Sequence, residues 1–253
     1  MLPDPFQNWT DWDLPFDNKP KLIRKLESGR TNHNFVIEAE ERLCVLRINA
    51  PNSIELGIDR HRELQILRRA SDAGLAPELL FSSIEKGVLL TAFVEGEHWQ
   101  SSSLVEPEKL SLLVDGIERI HALDVSSSIF NYREHVEKYW QQLLKKNSAI
   151  TDKLHRQRER ILPLIDDTNF HPDICHHDPN PMNIIIHSGK LTFLDWEYAA
   201  YGWPAFDYAA LSVEWDVPLQ SISLPEGISI EETRQAKEYY LYLCELWSGI
   251  QSN

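Results

Sequence analysis

Three oxygen-bearing side chains in the C-terminal half of the sequence could act together in one reaction. Asp178 follows His176 by two residues and precedes Asn183 by five, and Asp195 comes twelve residues after Asn183. Two apolar runs joined by a turn at 188–190 predict a hairpin whose open end brings Asn183 and Asp195 together. Carboxylate and amide oxygens are ligands that Mg²⁺ prefers, commonly beside substrate phosphates. The spacing therefore predicts phosphoryl transfer, in which Asp178 orients or deprotonates a hydroxyl while Asn183 and Asp195 hold the metal.

The elements that must position these residues form a β-rich segment followed by a mostly helical one. A single early helix is predicted at 59–73, and short apolar runs predict strands at 21–26, 35–38, 43–48, 79–82 and 88–94. Later helices and the two hairpin strands are predicted at 107–123, 132–146, 151–163, 229–247, 183–187 and 191–194. The two segments should meet near residues 94–96.

The stretch C-H-H-D-P-N-P-M-N-I-I-I, followed by F-L-D-W-E-Y-A, resembles the kinase-like small-molecule phosphotransferases. That superfamily includes choline and ethanolamine kinases, thiamine kinases and aminoglycoside phosphotransferases. Residues 29–35, G-R-T-N-H-N-F, are similar to a loop of the choline- and thiamine-kinase-like members, and V-L-R-I at 45–48 resembles their strand with Arg in place of a phosphate-binding Lys. The resemblance implies an α+β, bilobal, protein-kinase-like fold: an antiparallel sheet lobe with one helix at 1–95 and a larger, mainly helical lobe at 96–253.

The resemblance implies an enzyme that uses ATP and Mg²⁺. Asp178 would be the catalytic base, and Asn183 and Asp195 would be the metal ligands. Arg47 would contact the ATP phosphates and pair with Glu63 on the helix of the first lobe. A charged residue within the apolar run around Arg47 needs a partner, since burying an unpaired charge is costly.

Further nucleotide contacts follow from the resemblance. The loop over the phosphates would include Thr31, Asn32 and Asn34, and a hinge at Phe93 and Val94 would take the adenine.

Two residues are expected to support the catalytic loop without reacting. His176 would brace it by hydrogen bonds, and Asp207, in G-W-P-A-F-D, matches an acid of the family that would do the same. His177 is expected to be exposed. The basic run from Arg60 to Arg69 is expected to form the solvated outer face of its helix.

The acceptor is expected to be a small cationic alcohol of the choline, ethanolamine or thiamine kind. The 39 acidic and 25 basic residues give a net charge of −14, which disfavours nucleic acid and anionic membranes as partners. Aromatic residues crowd the last quarter of the sequence, and an aromatic wall with an acid can hold a quaternary ammonium group. Glu197 and Trp203 are the predicted acceptor contacts.

Other functions are open at this level. An aminoglycoside phosphotransferase would also take a polycation, and a catalytically silent nucleotide-binding protein could use the same scaffold. A metal hydrolase could draw on the neighbouring acid and histidines at 171, 176, 177, 178 and 187, although the helical H-E-x-x-H spacing is absent from the sequence. The lack of G-x-G-x-x-G and A-P-E sequences argues against a protein kinase.

Length and composition set the remaining bounds. The 253 residues are 42% hydrophobic, as in ordinary globular proteins, and contain no apolar run long enough to span a bilayer. The acidic, aromatic N-terminus lacks signal-peptide features, and the three separated cysteines form no disulfide framework or metal pair. We therefore expect a cytoplasmic monomer or homodimer without membrane insertion.

Overall fold

The computed structural model describes residues 9–26, 32–99, 106–146, 152–167 and 169–251. The first part of this chain is an antiparallel sheet with one helix. Its elements are β1 (Lys21–Leu26), β2 (His33–Ala39), β3 (Arg42–Ile48), α1 (Arg60–Asp72), β4 (Leu79–Ser83) and β5 (Val88–Ala92). The strand order is β1-β2-β3-β5-β4, so α1 connects two strands that are not neighbours.

The turn between β2 and β3 sets the register of the central strands. Glu40 and Glu41 both adopt positive φ angles, 49° and 62°, as tight two-residue hairpin turns require. The resulting pairing places Asn34 of β2 opposite Arg47 of β3, which in turn lies opposite Leu89 of β5. Arg47 therefore stands in the middle of the sheet.

Helix α1 begins with a side-chain cap and buries one face. The Asp59 carboxylate accepts hydrogen bonds from the backbone N–H groups of His61 and Arg62, which satisfies two amides that the first turn leaves free. Ile66, Leu67 and Ala70 are buried. Burying a large apolar side chain contributes about 1.5–3 kcal/mol, so this face fixes how α1 lies against its neighbours.

The second part of the chain is mainly helical. Its helices are α2 (Pro107–His121), α3 (Tyr132–Lys145), α4 (Asp152–Asp167), α5 (Pro204–Glu214) and α6 (Ile230–Gln251). The short strands are β6 (Glu97–His98), β7 (Asp173–Cys175), β8 (Ile184–His187), β9 (Lys190–Phe193) and β10 (Ala200–Gly202). The hairpin β8–β9 is joined by β6 at one edge, and β7 pairs with β10. Among the described residues, no helix has the length and apolar character needed to cross a membrane.

The path of the chain from β5 to β6, which connects the two parts, depends on Gly96. Its φ is 143°, and a Cβ at this position would lie 2.4 Å from the carbonyl oxygen of Ile186 in β8. Only glycine permits this approach, which lets β6 pair with β8 directly after the turn. Residues just after the predicted boundary therefore belong to the sheet of the second part.

One large core crosses the predicted boundary at residue 95. Ile66 and Leu75, from α1 and the turn after it, pack in the same cluster as Ile117, Phe193 and Trp196. A separate cluster on the sheet includes Leu14 and Phe35. Division of the chain at residue 95 stays a prediction.

The predicted strands and helices are confirmed, with end differences of a few residues. Helix α5 was missed, because Pro204–Ser212 is buried on every side and shows no amphipathic period. The short strands β6, β7 and β10 were also missed. They are two or three residues long, which is too short for an alternating pattern.

Candidate active site

The loop between β7 and β8 carries Asp178 in a hydrogen-bonded setting. The Asp178 carboxylate accepts from Nδ2 of Asn180 at 2.8 Å and from Nδ2 of Asn183 at 2.8 Å, one on each oxygen. The Asn180 side chain also accepts from the backbone N–H groups of Met182 and Asn183, which starts a short 3-10 turn. The loop thus holds Asp178 and Asn183 against each other in a fixed geometry.

Asp178 is poised to titrate near neutral pH. Burial raises the pKa of Asp178 to about 7, and the negative charges of Glu214 and Glu197 add to the rise. The hydrogen bonds from Asn180 and Asn183 oppose it. A carboxyl with this pKa can accept a proton from a bound hydroxyl, as general bases do.

His176 connects this loop to the end of β9. Its Nδ1 accepts from the Asp178 backbone N–H at 3.3 Å, so Nε2 carries the hydrogen and donates to the Leu194 carbonyl at 2.9 Å. Burial lowers the pKa of His176 to about 4, which keeps the ring neutral. This ring therefore links Asp178 to the residue that directly precedes Asp195.

Asp207 holds the backbone of the same loop from α5. Its fully buried carboxylate accepts from the backbone N–H groups of His176 at 2.9 Å and His177 at 2.8 Å, and from Nε2 of His121 at 3.1 Å. Burial alone would raise the pKa of Asp207, but the hydrogen bond from His121 and the nearby histidines hold it below its usual value. Three donors thus keep Asp207 ionised.

His177 is buried, and the expectation that it is exposed was wrong. It has a φ of 66°, stacks on Phe130 and hydrogen-bonds Tyr132 through Nε2 at 2.8 Å. A Cβ on Gly202 would lie 2.5 Å from this nitrogen, so β10 can approach only because residue 202 is glycine. The positive φ directs the ring into the aromatic core, which a spacing pattern does not indicate.

Asp195 lies just after β9, with a φ of 57°. Its Oδ1 is buried without a hydrogen-bond partner and lies 3.7 Å from Nη1 of Arg47. Burial raises the pKa of Asp195 well above its usual range, the charge of Glu197 adds to the rise, and Arg47 opposes it. The Asn183 side chain donates through Nδ2 to Asp178, and its backbone carbonyl accepts from the Leu194 N–H at 2.7 Å, which brings Asn183 next to the segment that carries Asp195. The Asp195 carboxylate and the Asn183 amide oxygen are ligand types that fit a Mg²⁺ ion.

Arg47 and Glu63 form the ion pair that the resemblance implies. Nη2 of Arg47 lies 2.6 Å from Oε1 of Glu63, and both side chains are buried. Arg47 also donates from Nε to Oδ1 of Asn49 at 3.0 Å. A pocket between α1 and the sheet is lined by these residues, together with Arg60 and apolar side chains such as Leu89.

Of the other predicted nucleotide contacts, Asn34 lies opposite Arg47 in the pairing of β2 with β3. Phe93 and Val94 follow β5 and are partly exposed, and the Phe93 N–H donates to the Leu43 carbonyl at 3.1 Å. Thr31 lies outside the described residues.

Asn32 and Glu197 are buried together rather than facing a ligand. Nδ2 of Asn32 donates to Oε2 of Glu197 at 2.8 Å, and Arg60 donates to the same carboxylate oxygen at 3.0 Å. Arg60 and its neighbour Arg62 are themselves largely buried, so the expectation that the Arg60–Arg69 run is wholly solvated was wrong. The cause is the position of the first turn of α1, which inserts between the sheet and the residues after Asp195.

Trp203 is 2% exposed and lies in an aromatic core away from these contacts. Its indole N–H donates to Glu232 at 2.5 Å, its ring stacks on Phe170, and its backbone N–H donates to the Tyr132 hydroxyl. Trp203 and Glu197 share none of these partners. The two predicted acceptor contacts therefore belong to different groups of side chains in the structure.

Four aromatic residues that pack in one hydrophobic cluster, together with an acid bonded to one of them, form a group that we call the aromatic cluster: Tyr139, Tyr198, Glu214, Tyr240 and Trp247. The hydroxyls of Tyr139 and Tyr198 are 3.1 Å apart, and the Tyr139 ring stacks on Trp247 at 5.6 Å. The Tyr240 hydroxyl donates to Oε1 of Glu214 at 2.8 Å. Burial raises the pKa of all three tyrosines, and the charge of Asp178 adds to each rise, so Asp178 lies within electrostatic range of them.

None of the five members of the aromatic cluster was predicted from the sequence as an acceptor contact. Tyr139 is one of several inward aromatic residues of α3, and Glu214 is the last residue of the missed helix α5. The seven-residue spacing of Tyr240 and Trp247 on α6 was a usable signal, since residues seven apart share one face of a helix. No sequence pattern indicates which of the aromatic faces lies near Asp178.

Residues 22–242 match the family model described as the phosphotransferase enzyme family. This chain belongs to that family. Protein LicA of Haemophilus influenzae is 31% identical over 195 residues, which are 74% of this chain and 56% of LicA. Ethanolamine kinase 2 of Mus musculus is 26% identical over 208 residues, which are 75% of this chain and 52% of that protein. This phosphotransferase therefore spans little more than half the length of these two relatives.

Solved structures share the fold of this phosphotransferase. The choline kinase LicA from Streptococcus pneumoniae gives a TM-score of 0.77 at 22% identity, covering 91% of this chain and 86% of that chain. LicA in complex with AMP gives a TM-score of 0.75 at 21% identity, covering 92% of this chain and 83% of that chain. The predicted α+β architecture, a sheet lobe with one helix before a helical lobe, is confirmed.

Proposed function

We propose that this phosphotransferase transfers the γ-phosphoryl group of ATP to the hydroxyl of a small cationic alcohol, and that choline is the first candidate. The observation that carries the proposal is the position of Asp178. Its carboxylate is hydrogen-bonded to Asn183, one of the proposed metal ligands, and lies within electrostatic range of Glu214 and the tyrosines of the aromatic cluster. A base close to both a nucleotide side and a cation-binding side suits transfer to an alcohol that carries a positive charge.

The nucleotide side would bind the phosphates through charge. Asn183 and Asp195 would hold Mg²⁺, and when bound this ion neutralises charge on the phosphates. Arg47, oriented by Glu63, presents a guanidinium 3.7 Å from Asp195 and so close to the same phosphates. Fixed charges of this kind stabilise a transferring phosphoryl group without reorganising during the reaction.

Asp178 would act on the acceptor hydroxyl. With its pKa raised to about 7 by burial, a large fraction of Asp178 is ionised at neutral pH and can accept the hydroxyl proton as the O–P bond forms. Asn180 and Asn183 fix the carboxylate orientation, so the hydroxyl meets an oriented acceptor. Positioning of this kind supplies much of the rate in phosphoryl transfer.

The aromatic cluster would hold the cationic end of the acceptor. Aromatic ring faces attract ammonium groups by about 0.5–2 kcal/mol each, and the attraction grows where water is excluded. Glu214 adds a carboxylate next to the Tyr240 ring. We therefore assign the cationic contact to Glu214 and its tyrosines in place of Glu197, whose carboxylate is already paired with Arg60.

The relatives support the choice of acceptor class. The similar proteins include a choline kinase and an ethanolamine kinase, and one similar structure holds AMP. This supports an adenine nucleotide as donor and an amino alcohol as acceptor.

The first experiment is ADP release from ATP and Mg²⁺ with choline, ethanolamine, thiamine or kanamycin as acceptor. We expect turnover with choline or ethanolamine that is lost in Asp178→Asn. Turnover with kanamycin alone would make the protein an aminoglycoside phosphotransferase. ATP binding without turnover on any acceptor would identify a silent nucleotide-binding protein and refute the proposal.

A further inference from the structure

The Arg60 guanidinium, at the first residue of α1, is 10% exposed and contacts four polar side chains. Nη1 donates to Glu63 at 2.8 Å and to Glu197 at 3.0 Å. Nη2 donates to Asn32 at 2.9 Å and to Ser53 at 3.0 Å. A planar guanidinium can satisfy this many acceptors at once, whereas a lysine ammonium cannot match the same fork.

Three of the four partners of Arg60 come from separate parts of the nucleotide side. Asn32 directly precedes β2. Glu63 is the residue that pairs with Arg47, and Glu197 stands two residues after Asp195. Arg60 therefore joins the phosphate loop predicted from the sequence, the Arg47 ion pair and the segment that carries the metal ligand.

Asn32 is held by its own interior contacts. Its Oδ1 accepts from the Ala50 backbone N–H at 3.1 Å and from Arg60, and its Nδ2 donates to Glu197. Both ends of the amide are engaged by protein groups. Asn32 is thus suited to anchoring the end of the loop, and Arg60 supplies two of the links in that anchor, one direct and one through Glu197.

Removing Arg60 would leave two buried carboxylates short of a partner. Glu63 would retain Arg47, while Glu197 would retain only the Asn32 amide among the hydrogen bonds and ion pairs of the described residues. Breaking a buried ion pair by deleting one partner is strongly destabilising, because the remaining charge has lost its compensation. The segment between Asp195 and Glu197 would then shift relative to Asn32.

We propose that Arg60 is a positioning residue that fixes the phosphate-loop end at Asn32 relative to the metal-binding segment at Asp195. Nucleotide affinity then depends on a side chain that binds its neighbours instead of the nucleotide. The proposal rests on the proposed function, since it assumes that MgATP binds between these two segments.

The test compares Arg60→Met with Asn32→Ala, the double variant and the control Arg68→Met. Arg68 lies on the same helix and is exposed. We measure the dissociation constant of MgATP without acceptor, and then kcat and KM for ATP. Arg60→Met should weaken MgATP binding and raise KM roughly 10- to 100-fold, as losses of supporting residues around metal sites do, with a smaller change in kcat. Arg68→Met should match the wild type.

The double variant tests whether Arg60 and Asn32 act through one another. If they do, the double variant should bind MgATP no more weakly than whichever single variant binds it less tightly. The effects of substitutions within one interaction network are not additive. Additive losses would show that the two residues act separately and would overturn the proposal.

Arg60→Lys separates positioning from general stability. It retains a charge for Glu63 and Glu197 but loses the fork that also reaches Asn32. We expect its melting temperature to return most of the way to the wild type while MgATP binding stays weakened. If Arg60→Met binds MgATP as tightly as the wild type and only its melting temperature is lower, Arg60 has only a structural role and the proposal is overturned. Failure of every acceptor with MgATP still bound would count against the proposed function alone.

Discussion

The proposed nucleotide-binding and acceptor-binding sides of the site, which we call the nucleotide side and the acceptor side, are built from different chemistry. On the nucleotide side, buried charges pair with one another: Arg47 with Glu63, and Arg60 with Glu63 and Glu197. On the acceptor side, the aromatic cluster contributes ring faces and one carboxylate. Charged groups need fixed partners when buried, whereas ring faces need only packing. Recognition on the nucleotide side, as proposed, would therefore depend on individual charge pairs, whereas recognition on the acceptor side would depend on the shape of an aromatic surface.

Asp178 belongs to both sides, so its loss should have the largest effect. Asp178→Asn keeps the hydrogen-bonding shape and removes the basic oxygen, and it should lower kcat roughly 10²- to 10⁴-fold. Affinity for MgATP should stay within a few-fold, which equilibrium binding would check. A variant with unchanged turnover would remove Asp178 as the base.

Asp195 tests the nucleotide side alone. Asp195→Asn should weaken MgATP binding by more than the roughly 10- to 100-fold typical for supporting residues around a metal, because the variant loses a metal ligand. The measurement is nucleotide affinity at several Mg²⁺ concentrations, with ATP in the absence of metal as the reference. Metal-supported binding equal to that of the wild type would make the metal assignment wrong.

Glu214 tests the acceptor side alone. Glu214→Gln should raise KM for choline roughly 5- to 30-fold, because one nearby charge at a partly buried site is worth about 1–2 kcal/mol. KM for ATP should change little. Glu226→Gln, at an exposed position, is the matched control. A rise in KM for ATP instead of choline would show that Glu214 acts on nucleotide binding, which would contradict its assignment to the acceptor side.

The smallest expected effect concerns pH. Protonated Asp178 cannot accept the hydroxyl proton, so kcat/KM should rise with pH and reach half its plateau near pH 7, the value to which burial raises the pKa of Asp178. At pH 6 the rate should be about a tenth of the plateau. Because Glu214 contributes to the raised pKa, Glu214→Gln should move the midpoint to lower pH. An unchanged midpoint would show that Glu214 does not raise the pKa of Asp178.

The residues that sequence reasoning located best are those joined by short stretches of chain. Asp178, Asn183 and Asp195 lie on one loop and one hairpin, whose turn and apolar strands were readable, so their convergence followed from local rules. Arg47 was readable because a charge in an apolar strand needs a partner. The α+β architecture followed from the family resemblance and the same strands and helices.

The residues that sequence reasoning located poorly depend on how distant elements pack. Glu197 and Glu214 are both acids near aromatic residues, and only the packing of α1 and α5 decides that the first meets Arg60 and the second meets Tyr240. Arg60 resembled a solvated helix residue because its partners are 28 and 137 residues away along the chain. Periodicity reports which face of an element is buried but not which partner that face meets.

The carboxylate of Asp207 has a consequence for how the loop opens. It accepts the backbone hydrogens of His176 and His177, and it belongs to the first turn of a helix whose other sides are buried. Amide hydrogens held in this way exchange with solvent only when the structure around them opens. The two residues before the base should therefore exchange deuterium as slowly as the centre of α5, and the loop and the helix should lose their protection in a single cooperative step.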